Sequence, residues 1–329
     1  MTVRKSLGPA LKILVALLLL YLVFRSVDTS RIAHHLRDIE TGRLVLLVLL
    51  CWLGQLLCAQ RWRLFAASLG MQGSYRSYAQ MYLVGMLFNI GLPSLIGGDV
   101  VKAYILSRKS GRPLQSGLAS VLQDRVAGLL SLIIYGGAAV LVHPITWRGI
   151  PLSAVYLATW IGVTLALWLM WKGEAVYRRF LAEEARSAWQ KLVRVAADFH
   201  QALVTMRLGS GAILQIAGLS FLNSALVLWI YEQIAAATGN AVSLISFSAL
   251  FPLVTLLTML PISFSGIGIR EWAYVEALAL LGVPPERALI VALSTSALVI
   301  VVNLGGVFLL PTVPSEMRRI SLPEVDERG

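Results

Sequence analysis

Two segments interrupt the apolar stretches of this 329-residue chain at corresponding places, 92–102 (LPSLIGGDVVK) and 260–270 (LPISFSGIGIR). Pro93, Gly98 and Lys102 in the first have the same spacing as Pro261, Gly266 and Arg270 in the second. In each, a proline breaks a helix, glycine lets the backbone turn, and a cation follows where a new helix begins. Broken helices at matching positions of two halves mark the substrate site in many membrane transporters. This pairing restricts the chain to a small set of membrane architectures.

Composition agrees. The chain is 57% apolar and 14% charged, with a mean hydropathy of +0.76, against about 25% charged residues in ordinary soluble domains. The net charge of +11 suits basic cytoplasmic loops of a membrane protein. The basic residues are scattered between apolar runs and form no separate basic domain, so no nucleic-acid partner is expected. Cys51 and Cys58 share a helix face about 10 Å apart, too far for a disulfide. Arg4 and Lys5 precede an apolar run with no small-x-small cleavage site after Phe24, so an uncleaved first span is expected.

Apolar runs of helical length fall at 11–24, 44–59, 77–90, 116–142, 151–171, 212–235, 242–260 and 285–310. The runs at 77–90 and 242–260 each lead into a broken segment and then a second short helix. Each is therefore a re-entrant hairpin or a kinked full span. With two hairpins and a cytoplasmic N-terminus, the inside receives Arg4, Lys5, Arg61, Arg63, Arg76, Arg108, Lys109, Arg112, the basic 172–207 loop and the C-terminal arginines. A full span at the first break alone would put the 172–207 loop outside, against the positive-inside rule. The expected fold is an all-α integral membrane bundle of about six full spans plus two re-entrant hairpins near 77–108 and 242–282. Each half then reads span, span, hairpin, span, an odd number of crossings, so the repeats are inverted. The first repeat covers 1–143 and the second 144–311, followed by a polar tail, 312–329. At an offset of 168 residues, 44–58 falls on 212–226, and Gly136–Gly137 lies one residue from Gly305–Gly306. Within 173–208, apolar residues recur at three- and four-residue steps, as in an amphipathic helix that lies at the cytoplasmic interface or serves as a plain connector packed on the bundle.

Ionisable groups inside a bilayer are costly and call for a partner or a function. Lys102 and Arg270 lead, with Asp99 and Glu271 beside them. Backbone N–H groups freed at Gly98, Gly266 and Gly268, the hydroxyls of Ser263 and Ser265, and the two cations make candidate phosphate sites at helix N-termini. Internal neutralisation, Lys102 with Asp99 and Arg270 with Glu271, is the competing reading. Asp124 and Arg125 are adjacent, about 100° apart on a helix, so they are expected to pair elsewhere, for example Asp124 with Lys102. With Glu276 they are candidate relay or ion-pair residues. Asn89, Asn223 and Asn303 are read as helix glue, and Gln60–Arg61–Trp62 as a mark of the cytoplasmic interface. No Walker A, HExxH, paired CxxC or GxSxG pattern occurs, so no nucleotide, metal or other cofactor is expected.

Pro93…Gly97-Gly98-Asp99…Lys102, Asp124-Arg125 and Pro261-x-Ser263…Gly266-x-Gly268-x-Arg270-Glu271 resemble the lysylphosphatidylglycerol synthase transmembrane-domain family, over roughly 7–312. The resemblance implies a flippase-like, lipid-translocating helical domain acting on an anionic lipid or lipid-linked precursor. The soluble aminoacyl-transferase domain that gives the family its name is absent from this sequence. Lys102 stands where an arginine is common, and Phe264–Ser265 replaces the usual Pro-Gly. The expectation is a transporter, not an enzyme, in the bacterial inner membrane, with both termini cytoplasmic and an anionic-headgroup lipid as its partner. Two other readings stand beside it. One is a membrane-embedded polyprenyl-phosphate-dependent transferase with Asp99, Asp124 or Glu271 as base. The other is a non-catalytic partner that anchors a lipid synthase through 173–208. A homo-oligomer is also left open.

Overall fold

The computed structural model describes residues 41–91, 97–172, 197, 200–203, 207–237, 239, 242–259 and 268–312. The expected first span at 11–24, both proline breaks, nearly all of the 173–208 helix and the polar tail lie outside the described residues.

In chain order, the described helices are α1 (Thr41–Ser68), α2 (Tyr75–Gly91), α3 (Gly97–Ser110), α4 (Leu114–Val142), α5 (Leu152–Lys172), α6 (Ser210–Ala237), α7 (Leu244–Met259), α8 (Ile269–Ala279) and α9 (Pro285–Leu304). α9 runs on into a 3₁₀ turn, Gly305–Thr312. A two-residue β-hairpin, Thr146–Trp147 with Ile150–Pro151, joins α4 to α5. Arg148 and Gly149 both take positive φ at its tip, +50° and +82°. That is the backbone a two-residue turn needs to match strand twist.

Segments Thr41–Ser68, Leu114–Val142, Ser210–Ala237 and Pro285–Leu309 are long and apolar enough to cross a membrane. α5 has 21 residues and leaves Leu157, Ile161, Leu165 and Trp168 exposed along its length. α2, α3, α7 and α8 have 17, 14, 16 and 11 residues, below the roughly 20 a span requires. They pack as two pairs, α2 on α3 and α7 on α8.

Packing is nearly unchanged when the halves are exchanged. α3 lies on α4 as α8 lies on α9, α1 on α4 as α6 on α9, and α4 on α7 as α2 on the α9–3₁₀ end. The equivalent helices α1 and α6 contact each other, and they run antiparallel. Arg43 meets Gln233, Gly54 faces Asn223, and Arg61 meets Ser220.

Apolar surface gains little by leaving lipid for protein, so helices in a membrane associate through close backbone approach and polar contacts. Small residues sit at the crossings here. A Cβ on Gly98 would overlap the Gly85 carbonyl, one on Gly117 would crowd the Ala103 carbonyl, and one on Gly306 would overlap the Leu83 carbonyl. Tyr156 of α5 crosses α4 at Gly136 and donates to the Ala249 carbonyl of α7 at 2.9 Å. The two glycine pairs, 136–137 and 305–306, thus both lie at helix crossings.

Candidate functional site

The α2–α3 pair is built around the Gly85–Gly98 contact. Its tightness brings the first turn of α3 against the middle of α4 and the end of α1. Asp99 of α3 receives a fork from Arg125 of α4, Nε to Oδ2 at 2.9 Å and Nη2 to Oδ1 at 2.8 Å. Two parallel charge-assisted bonds of this kind fix geometry as well as charge. One turn further along α3, Lys102 reaches back to Asp99, Nζ to Oδ1 at 2.9 Å. Lys102 is fully buried, its ammonium 4.0 Å from the Tyr82 ring centroid and 5.6 Å from that of Trp62. Aromatic faces stabilise a desolvated cation.

A second pair lies behind the first. Arg61 of α1, only 3% exposed, donates through Nε to Asp124 Oδ1 at 2.7 Å and through Nη1 to Ser220 Oγ of α6 at 3.2 Å. Among the described residues, the buried Asp124 Oδ2 has no hydrogen-bond partner. The two groups adjoin, since Asp124 precedes Arg125 in α4 and Trp62, the residue after Arg61, lies against the Lys102 ammonium. Among the described residues, three cations (Arg61, Lys102, Arg125) and two carboxylates (Asp99, Asp124) thus form one cluster, three formal positive charges against two negative. Of the fork, the Arg125 side chain is 33% exposed and the Asp99 side chain 11%. Among the described residues of the cluster, Arg125 is the most exposed cation.

The second break is built differently. Gly268, at φ +82°, caps α8, and its N–H donates to Glu271 Oε2 at 2.6 Å. Glu271 is buried; its other oxygen accepts from Ser296 Oγ of α9 at 3.3 Å. Arg270 Nη1 donates to the same Ser296 hydroxyl at 3.1 Å. Arg270 and Glu271 are thus joined through Ser296 and not directly. Glu276 is half-buried and makes no ion pair among the described residues.

Several sequence expectations change. Asp124 pairs with Arg61, not Lys102, because α1 presents an arginine where the sequence suggested an interfacial marker. Arg61 and Trp62 are interior groups, and Trp62 donates to Ser120 Oγ at 3.0 Å. Gly98 and Gly268 do not offer free N–H groups. Gly98 donates to Asn89 Oδ1 at 2.9 Å, as Gly268 does to Glu271. Lys102 is enclosed and neutralised by Asp99, as the competing reading had it, while Arg125 faces outward beside it. Arg125 was read only as a relay or pairing residue. Ser263, Ser265 and Gly266 lie outside the described residues. Tyr82, Ser220 and Ser296 carry no motif or spacing that marks them, since they belong to ordinary apolar helical runs.

The helical architecture and its long apolar elements define an all-α, multi-pass integral membrane protein. The model of the lysylphosphatidylglycerol synthase TM region matches residues 10–306, and the chain belongs to that family. It is similar to a UPF0104 membrane protein of Methanothermobacter thermautotrophicus, 23% identical over 302 residues, with 84% of this chain and 87% of the relative covered. No solved structure matches.

Proposed function

We propose that the protein carries an anionic, phosphate-bearing lipid or lipid-linked precursor between leaflets of the cytoplasmic membrane. The observation behind this reading is the interior cluster with one excess positive charge and a partly exposed Arg125. A lipid phosphate supplies the missing negative charge, and a guanidinium already held flat by Asp99 can offer its remaining N–H groups. Lys102 holds Asp99 from behind and raises the local positive potential without touching the substrate. Arg270, half-buried in the other short helix pair, is the matching contact in the second half.

The short pairs α2–α3 and α7–α8 act as re-entrant hairpins between six full spans, the first of them at 11–24. The antiparallel α1–α6 contact supports inverted repeats, the arrangement that underlies alternating access in other transporters. The lipid tails remain in hydrocarbon while the headgroup passes the cluster. With no nucleotide-binding motif in the sequence, movement is downhill or ion-coupled. The chain acts as a transporter rather than an enzyme, with both termini cytoplasmic.

The test is transbilayer movement of labelled phosphatidylglycerol in proteoliposomes. Arg125→Gln should slow it about tenfold or more, the loss expected when a charge-assisted bond to phosphate goes. Arg125→Lys should keep part of the rate. Unchanged movement in a folded Arg125→Gln protein would remove the site assignment. A change in lipid mass without a change of leaflet would instead favour the transferase reading.

A further inference from the structure

α4 carries Asp124 and Arg125 in its first half and ends at a second feature that neither broken segment explains. Beyond Val142, a cavity of about 600 Å³ opens between the end of α4, the turn before α7 and the turn between α8 and α9. Its polar lining is His143, Ser243, Ser246 and Arg287, and Leu281 and Val283 form its apolar side. The size is within the range of small-molecule sites, roughly 300–1,000 Å³.

Arg287 donates through Nη1 to the Gly239 carbonyl at 3.0 Å. Among the described residues that is the bond that steadies the guanidinium, and its other N–H groups are left available. His143 is exposed at the rim. Ser243 and Ser246 bond to each other through their hydroxyls at 2.8 Å. Glu286, the neighbouring carboxylate in sequence, is not among the lining residues. The walls therefore combine a fixed cation, an imidazole and hydroxyls with an apolar flank. That combination suits a phosphate monoanion or diester attached to an apolar body.

From Arg125 to His143 is eighteen residues along α4, about 27 Å at the helical rise. That is close to the roughly 30 Å thickness of a hydrocarbon core. We infer that this cavity is a second phosphate-headgroup site, at the far membrane surface, where the lipid is received or released after passing the Arg125 cluster. The inference rests on the transport reading for its purpose, but the site can be tested by itself.

The experiment is native mass spectrometry of the purified full chain titrated with phosphatidylglycerol, repeated with excess inorganic phosphate. Two bound lipids are expected. Arg287→Gln and His143→Ala should each weaken one of them, Arg287→Gln by about tenfold or more, and leave the other. Arg125→Gln should remove the complementary one. His143 is exposed, so its variant folds normally and guards against a loss caused by loosening the Gly239 turn. Competition by inorganic phosphate at the Arg287 site would mean that it recognises free phosphate, and lack of competition that it requires the lipid body. Equal lipid binding by wild type, Arg287→Gln and His143→Ala overturns the inference. Loss in those two variants with no effect of Arg125→Gln keeps this site and overturns the Arg125 assignment.

Discussion

Among single residues, Arg61 and Asp124 carry the largest consequence for stability. Both are almost completely enclosed, and removing one leaves the other charge unpaired in an apolar interior. Arg61→Ala or Asp124→Ala should lower stability by about 3–5 kcal/mol, the cost usual for breaking a buried pair. Thermal melting in detergent would show it. The double replacement Arg61→Leu with Asp124→Leu should recover most of that loss, because apolar groups of similar volume often substitute well for a buried ion pair. If the double variant melts as low as the singles, the pair contributes more than mutual neutralisation. These partners were legible only in part. Spacing could say that Asp124 and Arg125 point apart, but it could not say which helix each would meet. A cation at the end of an apolar run is the ordinary sign of an interface, and nothing in the spacing shows that Arg61 also turns inward to Asp124. α1 in fact continues to Ser68, and its final turns are interior.

The short helix pairs depend on side chains that are missing. Gly85 and Gly98 let α2 and α3 touch backbone to backbone, and a methyl group at either position meets occupied space: Lys102 at Gly85, and the Gly85 carbonyl at Gly98. Gly98→Ala should therefore part the pair, move Asp99 away from Arg125 and depress both melting temperature and lipid movement. Gly162→Ala, where a Cβ meets nothing, is the control and should do neither. A Gly98→Ala protein with wild-type melting would mean that the pair tolerates separation. At this scale the sequence was more informative. Proline, glycine and cation at fixed spacing placed the start of α8 within a residue of Arg270, whereas α3 begins at Gly97, five residues before Lys102. Their spacing could not reveal that Asn89 and Glu271 would occupy the N–H groups of Gly98 and Gly268. That depends on side chains folding back from three or nine residues away.

For the whole molecule, α4 has to cross the membrane with the 108–112 turn on one side and the β-hairpin on the other. With Cys51 and Cys58 changed to alanine, Lys109→Cys should react with a membrane-impermeant maleimide only after cells are opened. Arg148→Cys should react in intact cells. Labelling of both from one side would exclude α4 as a span, and reversal would invert the orientation. The helical membrane class was legible from composition and apolar runs, whereas the pairing of α1 with α6 was not, because similar apolar helices carry no address.

The halves match in their helices but not in their charges. At the 168-residue offset, Arg61, Tyr82, Asp124 and Arg125 correspond to Trp229, Leu250, Ala292 and Leu293. A carrier whose two facings were exact mirror images would spend equal time open to each leaflet. On the transport reading proposed above, with five charged groups of the described interior in one half and Arg270 and Glu271 facing them from the other, the two facings would differ in energy, and the empty molecule would rest in one of them. That imbalance would set which leaflet is sampled first and how readily each side saturates. It cannot drive lipid uphill, so any accumulation on one side has to come from a gradient or from an enzyme that consumes the lipid there.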